Sequence, residues 1–315
     1  MPLDPAISQM MKYMGQRPAL NEHTLRHIRG LSEAGSRLLG QHAKPEPVGR
    51  VVDITIPAAD GYKIPARCYY PEADMDVYPV LIYYHGGGFV LGSVQSHDHI
   101  ARLFCKLARC AVVSVDYRLA PEHPFPAAVD DAYTSLLLVH RQASEHQWDP
   151  ERIAIGGDSA GGNLAAVASI LAASQQGPAI RYQLLYYPVT DMGGDYPSKQ
   201  SAEHSPLLST DDMAFFSRCY IGEQADPDDP RLSPIRYGHL EQLPPALVIT
   251  AEYDPLRDEG EAFAERLKEA GVPTEAARYD GMIHGFITFP QLLPQGMQAI
   301  EQGANALVQA FRMDE

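Results

Sequence analysis

The sequence predicts an α/β fold, with a mainly parallel sheet of eight strands, helices on both faces and a helical cap. Three observations carry this prediction. Short apolar runs alternate with longer stretches of helix formers, as in repeated strand–helix–strand units. Residues 80–84 are apolar throughout, as in a strand covered on both faces. A Gly-x-Ser-x-Gly pattern at residues 157–161 separates an apolar run from a helical stretch, which is typical of a sharp strand-to-helix turn.

The first 45 residues carry helical patterns only. Asp4 and Pro5 suit the N-cap and the first position of a helix, and a second helix is predicted over residues 22–39. The apolar residues expected to face inward are Ile7, Met10, Met11 and Met14 in the first helix and Leu25, Ile28, Leu31 and Leu38 in the second. Because methionine fills irregular space, these methionines are suited either to core packing or to the wall of a binding site.

The eight strands are predicted at residues 51–56, 64–70, 80–84, 111–117, 152–155, 183–188, 246–251 and 274–279. Helical patterns separate most of them, except that the first two strands form a hairpin around Asp60 and Gly61. Residues 191–236 interrupt the alternation and contain a helix pattern over 211–219, capped by Ser209 and Thr210. The predicted organisation is therefore a cap made of residues 1–45 and 191–236 on a catalytic domain made of residues 46–190 and 237–315.

Composition narrows the class of protein. The chain has 315 residues and a net charge of −15, so neither nucleic acid nor an anionic membrane surface is an expected partner. No run of 18 apolar residues and no leader pattern is visible. The four cysteines form no secreted-type framework, so the cytoplasm is the expected location. Cys105 and Cys110 with His97 and His99 match no zinc spacing, and neither a metal nor a cofactor is expected.

Ser159 stands at the centre of the Gly-x-Ser-x-Gly pattern. An apolar strand precedes it and the helix formers of residues 163–173 follow it. Side chains two positions before or after the serine would collide with the neighbouring strand and helix, which explains the glycines. The turn lifts the serine hydroxyl clear of the sheet and aims the N–H of Ala160 at any oxyanion that forms.

Further reactive residue types follow three other predicted strands. They are His85 with three glycines after the third strand, Asp254 and Asp258 after the seventh, and His284 after the eighth. The carboxyl ends of parallel strands meet at one edge of a sheet, so these residues are expected near Ser159. The chain order Ser, Asp, His is that of the α/β-hydrolases.

Five stretches together resemble the hormone-sensitive-lipase-like branch of the α/β-hydrolases, the bacterial carboxylesterases. These stretches are HGGG at 85–88, YRLAPEHPFPAA at 117–128, GDSAGG at 157–162, DPLRD at 254–258 and HGF at 284–286. The resemblance implies an α/β-hydrolase fold and a carboxylesterase without metal or cofactor. It also implies that the first aspartate of DPLRD, Asp254, is the triad member, with Asp258 as its structural rival.

Each residue then has a chemical role. Ser159 attacks an acyl carbon after a base takes its proton, and His284 is that base. Asp254 holds the imidazole and stabilises its charged form. The N–H groups of Gly87, Gly88 and Ala160 form the oxyanion hole. His85, Arg118 and Glu122 are expected to hold the glycine loop.

Other functions use similar features. An amidase, peptidase or acyltransferase can use the same triad, and receptor domains on this fold lack a triad member, whereas all three residues are present here. A nucleotide site is not indicated, because no G-x-G-x-x-G follows the first strand. The expected reaction is hydrolysis of a small-molecule ester. The sequence leaves the oligomeric state open, with a homodimer as one option.

The cap is expected to close over the carboxyl edge of the sheet. An acyl pocket would then be lined by Leu207, Leu208, Met213, Phe215 and Phe216 together with Met10, Met11 and Met14, and packing of the cap on the core is the alternative role for each. A lid of this size favours a closed, small pocket and acyl chains of about two to eight carbons, as the family resemblance also implies.

Overall fold

The computed structural model describes residues 2–14, 19–31, 45–73, 75–201, 205–222 and 225–312. Its strands are β1 (Arg50–Pro57), β2 (Lys63–Tyr70), β3 (Tyr78–Tyr84), β4 (Ala111–Val115), β5 (Trp148–Asp158), β6 (Tyr182–Tyr186), β7 (Ala246–Tyr253) and β8 (Thr274–Ile283). They form one sheet in the order β1-β2-β4-β3-β5-β6-β7-β8. β1 pairs antiparallel with β2, and β2 with β4. All other neighbours are parallel, which confirms the predicted sheet.

Ten α-helices lie within the described residues. They are α1 (Pro5–Met14), α2 (residues 22–31), α3 (Asp98–Ala108), α4 (Ala127–Arg141), α5 (Ala143–His146), α6 (Ala160–Ser174), α7 (Pro197–Gln200), α8 (Thr210–Tyr220), α9 (Arg257–Glu269) and α10 (Pro294–Ala310). In α8, Ser209 and Asp212 form a capping box, which agrees with the predicted helix start. No helix in the described part of the chain is long and apolar enough to cross a membrane.

The sheet separates two hydrophobic cores. β3 is buried along its whole length, and its side chains alternate between the two faces. Val80 and Ile82 belong to the core that contains residues of α4, α6 and α9. Leu81 and Tyr83 belong to the core that contains residues of α1, α3 and α10. Helices therefore cover both faces, as the apolar pattern of this strand predicts.

The N-terminal helices pack differently from the prediction in one respect. Leu25 is buried, but Leu31 is 52% exposed, so the expectation that Leu31 faces inward is wrong. Six residues at 3.6 per turn place Leu31 roughly 120° around the helix from Leu25. The helix uses Arg29 instead, which donates hydrogen bonds to the carbonyl oxygens of Val90 and Ala120. The predicted extension of this helix to residue 39, including Leu38, lies outside the described residues.

Candidate active site

Ser159 occupies a strained turn between β5 and α6. Its φ is 55° and its ψ is −119°, a backbone conformation that costs free energy and that side-chain-bearing residues rarely adopt. A Cβ on Gly161, or on Gly157, would overlap the backbone carbonyl of Tyr84 in the adjacent β3. The crowding predicted for the two flanking glycines is therefore present, because this turn lies close against β3.

The structure brings Ser159, His284 and Asp254 into one hydrogen-bonded chain. Nε2 of His284 lies 2.9 Å from Oγ of Ser159, and Nδ1 lies 2.8 Å from Oδ2 of Asp254. The other carboxylate oxygen of Asp254 accepts the N–H of Leu256 at 2.8 Å. All three residues are buried. An imidazole held between a hydroxyl and a buried carboxylate can take the hydroxyl proton and keep its own positive charge stabilised.

Asp258 lies elsewhere in the same turn. Its carboxylate accepts a hydrogen bond from Arg257 at 2.8 Å and from the N–H of Ser198 at 2.8 Å. Of the two aspartates that the sequence offers, the structure places Asp254 at the imidazole. Asp258 instead joins α9 to α7.

The glycine loop after β3 borders the same space as Ser159. Gly87 and Gly88 have φ values of 125° and 61°, which glycine adopts readily, and both line a cavity that also contains Ser159 and His284. Within the described ranges, the N–H groups of Gly87, Gly88 and Ala160 donate no hydrogen bond. Ala160 directly follows the serine and begins α6. The three N–H groups can therefore receive a developing negative charge.

Asp158, which precedes the serine, holds this loop from the sheet side. Its Oδ1 accepts the N–H of Gly86 at 3.0 Å and the hydroxyl of Tyr83 at 2.8 Å, and Nε2 of His97 lies 3.4 Å away. Burial opposes ionisation, yet His97 and Tyr83 lower the pKa of Asp158 below its usual value. The sequence analysis gave Asp158 no role of its own and considered His97 only for a metal site. The only available signal was an acidic residue at the end of a buried strand.

His85 has the loop-holding place expected for it. Its ring stacks on Tyr117 with centroids 4.3 Å apart, and its carbonyl accepts the Tyr117 hydroxyl at 2.7 Å. Burial lowers the pKa of His85 to about 4, so the ring is neutral near pH 7. Arg118 pairs with Asp131. Glu122 pairs with Arg29, which donates to the carbonyl of Val90 just after the loop. Glu122 therefore supports the loop through Arg29, whereas the partners of Arg118 are Asp131 and Asp60.

A cavity of about 990 Å³ opens beside Ser159. Among the residues of the second cap segment that line it are four that the sequence predicts for an acyl pocket, namely Leu207, Leu208, Met213 and Phe216. The volume lies at the upper end of the ~300–1,000 Å³ typical of small-molecule sites, so the pocket is larger than the small one expected from the sequence.

Other predicted lining residues lie elsewhere. Phe215 is buried in the core beside α4 and α6, because two residues along a helix rotate a side chain by about 200° from Met213. Met10 is buried in the core that contains α3 and α10, and Met11 packs against that core. The expectation that Phe215, Met10 and Met11 line the pocket is therefore wrong. The side chain of Met14 lies outside the described residues.

No group of three or more His, Cys, Asp or Glu side chains is placed to hold a metal ion in the part of the chain that the structure describes. Cys105 and Cys110 are buried free thiols, and burial raises the pKa of Cys105 to about 12. Nε2 of His99 lies 3.1 Å from the carbonyl oxygen of Thr288. These groups therefore serve packing and backbone hydrogen bonding.

Comparison with known proteins identifies the family of the chain. Residues 81–288 match a family model described as the α/β-hydrolase fold. The chain is 40% identical over 288 residues to carboxylesterase NlhH of Mycobacterium tuberculosis, covering 90% of each chain. It is 43% identical over 268 residues to the carboxylic ester hydrolase LipN of the same organism, covering 83% of this chain and 70% of that one.

A solved structure shows the same architecture over the whole chain. The hyperthermophilic esterase of the archaeon Pyrobaculum calidifontis superposes with a TM-score of 0.91 at 44% sequence identity, covering 98% of this chain and 99% of that one. The predicted family resemblance is thus confirmed. The chain belongs to the hormone-sensitive-lipase-like branch of the α/β-hydrolase family and is a carboxylic ester hydrolase.

Proposed function

We propose that this carboxylesterase hydrolyses short- to medium-chain acyl esters through a Ser159–His284–Asp254 triad and an acyl-enzyme intermediate. The observation that carries the proposal is the continuous hydrogen-bonded chain from the Ser159 hydroxyl through His284 to Asp254, with distances of 2.9 and 2.8 Å. A serine hydroxyl is a weak nucleophile without such a base, and this chain supplies one.

The reaction has two halves. Oγ of Ser159 forms a bond to the acyl carbon while Nε2 of His284 takes the hydroxyl proton. His284 then gives that proton to the leaving alcohol oxygen as the ester C–O bond breaks. In the second half a water molecule attacks the acyl-enzyme, His284 takes a proton from the water, and the acid leaves as Oγ regains a proton. Asp254 stabilises the imidazolium in both halves.

The oxyanion of each tetrahedral intermediate would accept hydrogen bonds from the N–H groups of Gly87, Gly88 and Ala160. One such preorganised donor is worth ~3 kcal/mol in the transition state. The support for this role is that the three N–H groups lie around the serine with no other acceptor among the described residues. The loop that carries two of them is fixed to β5 through Gly86 and Asp158.

The acyl chain would lie against Leu207, Met213 and Phe216, which line the cavity beside Ser159. This placement supports the assignment of residues 191–236 to a cap, and residues 1–45 are proposed to complete it. The cavity is large for a small-molecule site but still falls within the range for small molecules, so we expect acyl chains of about two to eight carbons rather than long triglycerides. Action on small molecules in the cytoplasm without a cofactor remains a prediction from the sequence, and the oligomeric state is left open.

A chain-length series of p-nitrophenyl esters tests the proposal. The wild-type protein should hydrolyse butanoate and hexanoate esters well and hexadecanoate poorly. The Ser159→Ala variant should lose at least about 10⁴-fold in kcat and should no longer be labelled by a phosphonate. Faster cleavage of p-nitroanilides would indicate an amidase, transfer to an added alcohol would indicate an acyltransferase, and no turnover at all would indicate a binding domain.

A further inference from the structure

The cap helix α8 lies directly on the loop that carries the oxyanion donors. The ring of Phe216 fills the space next to Gly88, where a built Cβ would overlap three ring carbons. Phe216 is half-buried and also lines the cavity. The Phe216 side chain therefore borders the cavity that is proposed to hold the acyl chain, and it also contacts the backbone of Gly88, a proposed oxyanion donor.

One turn further along α8, Tyr220 makes a second contact with the loop. Its ring stacks face to face on Phe89, with centroids 3.8 Å apart and planes within 2°. The Tyr220 carbonyl accepts the N–H of Phe125 at 2.9 Å, and the two rings meet edge to face. Tyr220 is buried, so this end of α8 is fixed both to the glycine loop and to the segment that supports it.

The rest of the loop has its own supports, whereas Gly88 does not. Gly86 is bound to Asp158, and the carbonyl of Gly87 accepts the N–H groups of Val90 and Leu91 at 3.1 and 2.7 Å. The backbone of Gly88 makes no hydrogen bond with any residue that the structure describes. A glycine with φ of 61° has much conformational freedom, so packing has to define where its N–H points.

We infer that Phe216 and Tyr220 are positioning residues for the oxyanion hole, and that α8 holds the N–H of Gly88 in place through them. The inference rests on the proposed function, because it concerns the same intermediate. It follows that the cap controls the rate of the chemical step as well as the choice of acyl chain. A misplacement of about 1 Å can cost a reaction on the order of 100-fold, so the loss of one ring is expected to be visible in kcat.

Two substitutions in the same helix separate positioning from simple contact with the acyl chain. Phe216→Ala and Met213→Ala both remove a cavity-lining side chain, but Met213 is not among the nearest neighbours of Gly88. With p-nitrophenyl acetate and hexanoate, Phe216→Ala should lower kcat by a similar factor for both esters, about 10- to 100-fold. Met213→Ala should instead change the ratio of the two substrates, mainly through KM.

Conservative variants guard against a general loss of folding. Phe216→Leu and Tyr220→Phe keep bulk or ring against the loop and should retain far more of kcat than Phe216→Ala and Tyr220→Leu. Active sites are counted by phosphonate titration, so that an unfolded fraction does not lower kcat. A wild-type kcat for Phe216→Ala, or a loss confined to hexanoate, would overturn this inference while the esterase stands. A wild-type protein without esterase activity would instead overturn the proposed function.

Discussion

The ammonium of Lys199 lies 2.5 Å from the carboxylate of Glu259 and joins the second cap segment to α9. Glu259 is fully buried, and it also accepts the N–H of Thr190 at 2.7 Å. Burial raises the pKa of Glu259, while Lys199 acts in the opposite direction. Lys199 also donates to the carbonyl of Asp191 at 2.7 Å. Because α9 begins just after Asp254, this pair ties the cap segment to the element next to the proposed triad.

Replacing Lys199 is expected to destabilise the protein strongly. In Lys199→Met the Glu259 carboxylate stays buried without its cation, and breaking such a pair costs about 3–5 kcal/mol. Urea unfolding at pH 7 measures this loss. The matched control is Lys268→Met, which breaks an exposed pair with Glu265 and should cost less than about 1 kcal/mol. Equal losses in the two variants would show that the buried pair does not hold the cap segment.

The two aspartates of the DPLRD stretch should behave differently. Asp254→Asn removes the charge that stabilises the imidazolium of His284, and kcat should fall on the order of 10⁴-fold. Asp258→Asn keeps an acceptor for the N–H of Ser198 and should change kcat less than about 10-fold. Steady-state kinetics with p-nitrophenyl butanoate on both variants decides between them. A larger loss in Asp258→Asn would reverse the assignment.

Much of this site was predictable because it depends on the ends of strands. Each apolar run specifies a strand, parallel strands end at one edge of the sheet, and so the reactive residues converge although Ser159 and His284 are 125 positions apart. Spacing alone did not separate Asp254 from Asp258, and only the family resemblance did. The conformation of the turn after β7 decides which carboxylate reaches the ring, and periodicity does not encode that conformation.

The features that the sequence did not predict depend on how each helix is rotated about its axis and on contacts between distant segments of the chain. An apolar helix pattern predicts that some face is buried, but not which cavity or core it meets. Phe215 and Phe216 are adjacent, yet the first packs in the core and the second on the cavity. The bond between Gly86 and Asp158 joins residues 72 positions apart. It arises from the pairing of β3 with β5, so it becomes visible only once the sheet is assembled.

Two buried histidines should make the fold sensitive to mild acid. Burial lowers the pKa of both His85 and His99 to about 4, whereas an unfolded histidine titrates near ~6.5. Between these values the unfolded chain binds more protons, so the free energy of unfolding is largest above pH 6.5 and falls as the pH drops toward 4. Each histidine should contribute a loss of about 2 kcal/mol between pH 8 and pH 5.

Denaturant unfolding at pH 8 and pH 5 measures this loss. Carboxylates contribute less in this window because most of them titrate below it. His99→Gln retains a donor for the carbonyl of Thr288 but does not titrate, so its stability should fall by about 2 kcal/mol less than that of the wild type over the same interval. Identical pH dependence in the two proteins would mean that His99 takes up a proton without unfolding.

The last prediction concerns the acyl pocket, for which the cap helix offers a matched pair of residues. Met213 lines the cavity, whereas Phe215, two positions along the same helix, is buried in the core. Met213→Ala enlarges the space beside Ser159 and should raise kcat/KM for decanoate relative to butanoate by roughly 10-fold, since burying each methylene is worth about 0.8 kcal/mol. Phe215→Leu should lower the melting temperature and leave the chain-length profile unchanged. A profile that shifts with Phe215→Leu and not with Met213→Ala would place the acyl chain on the other side of the helix.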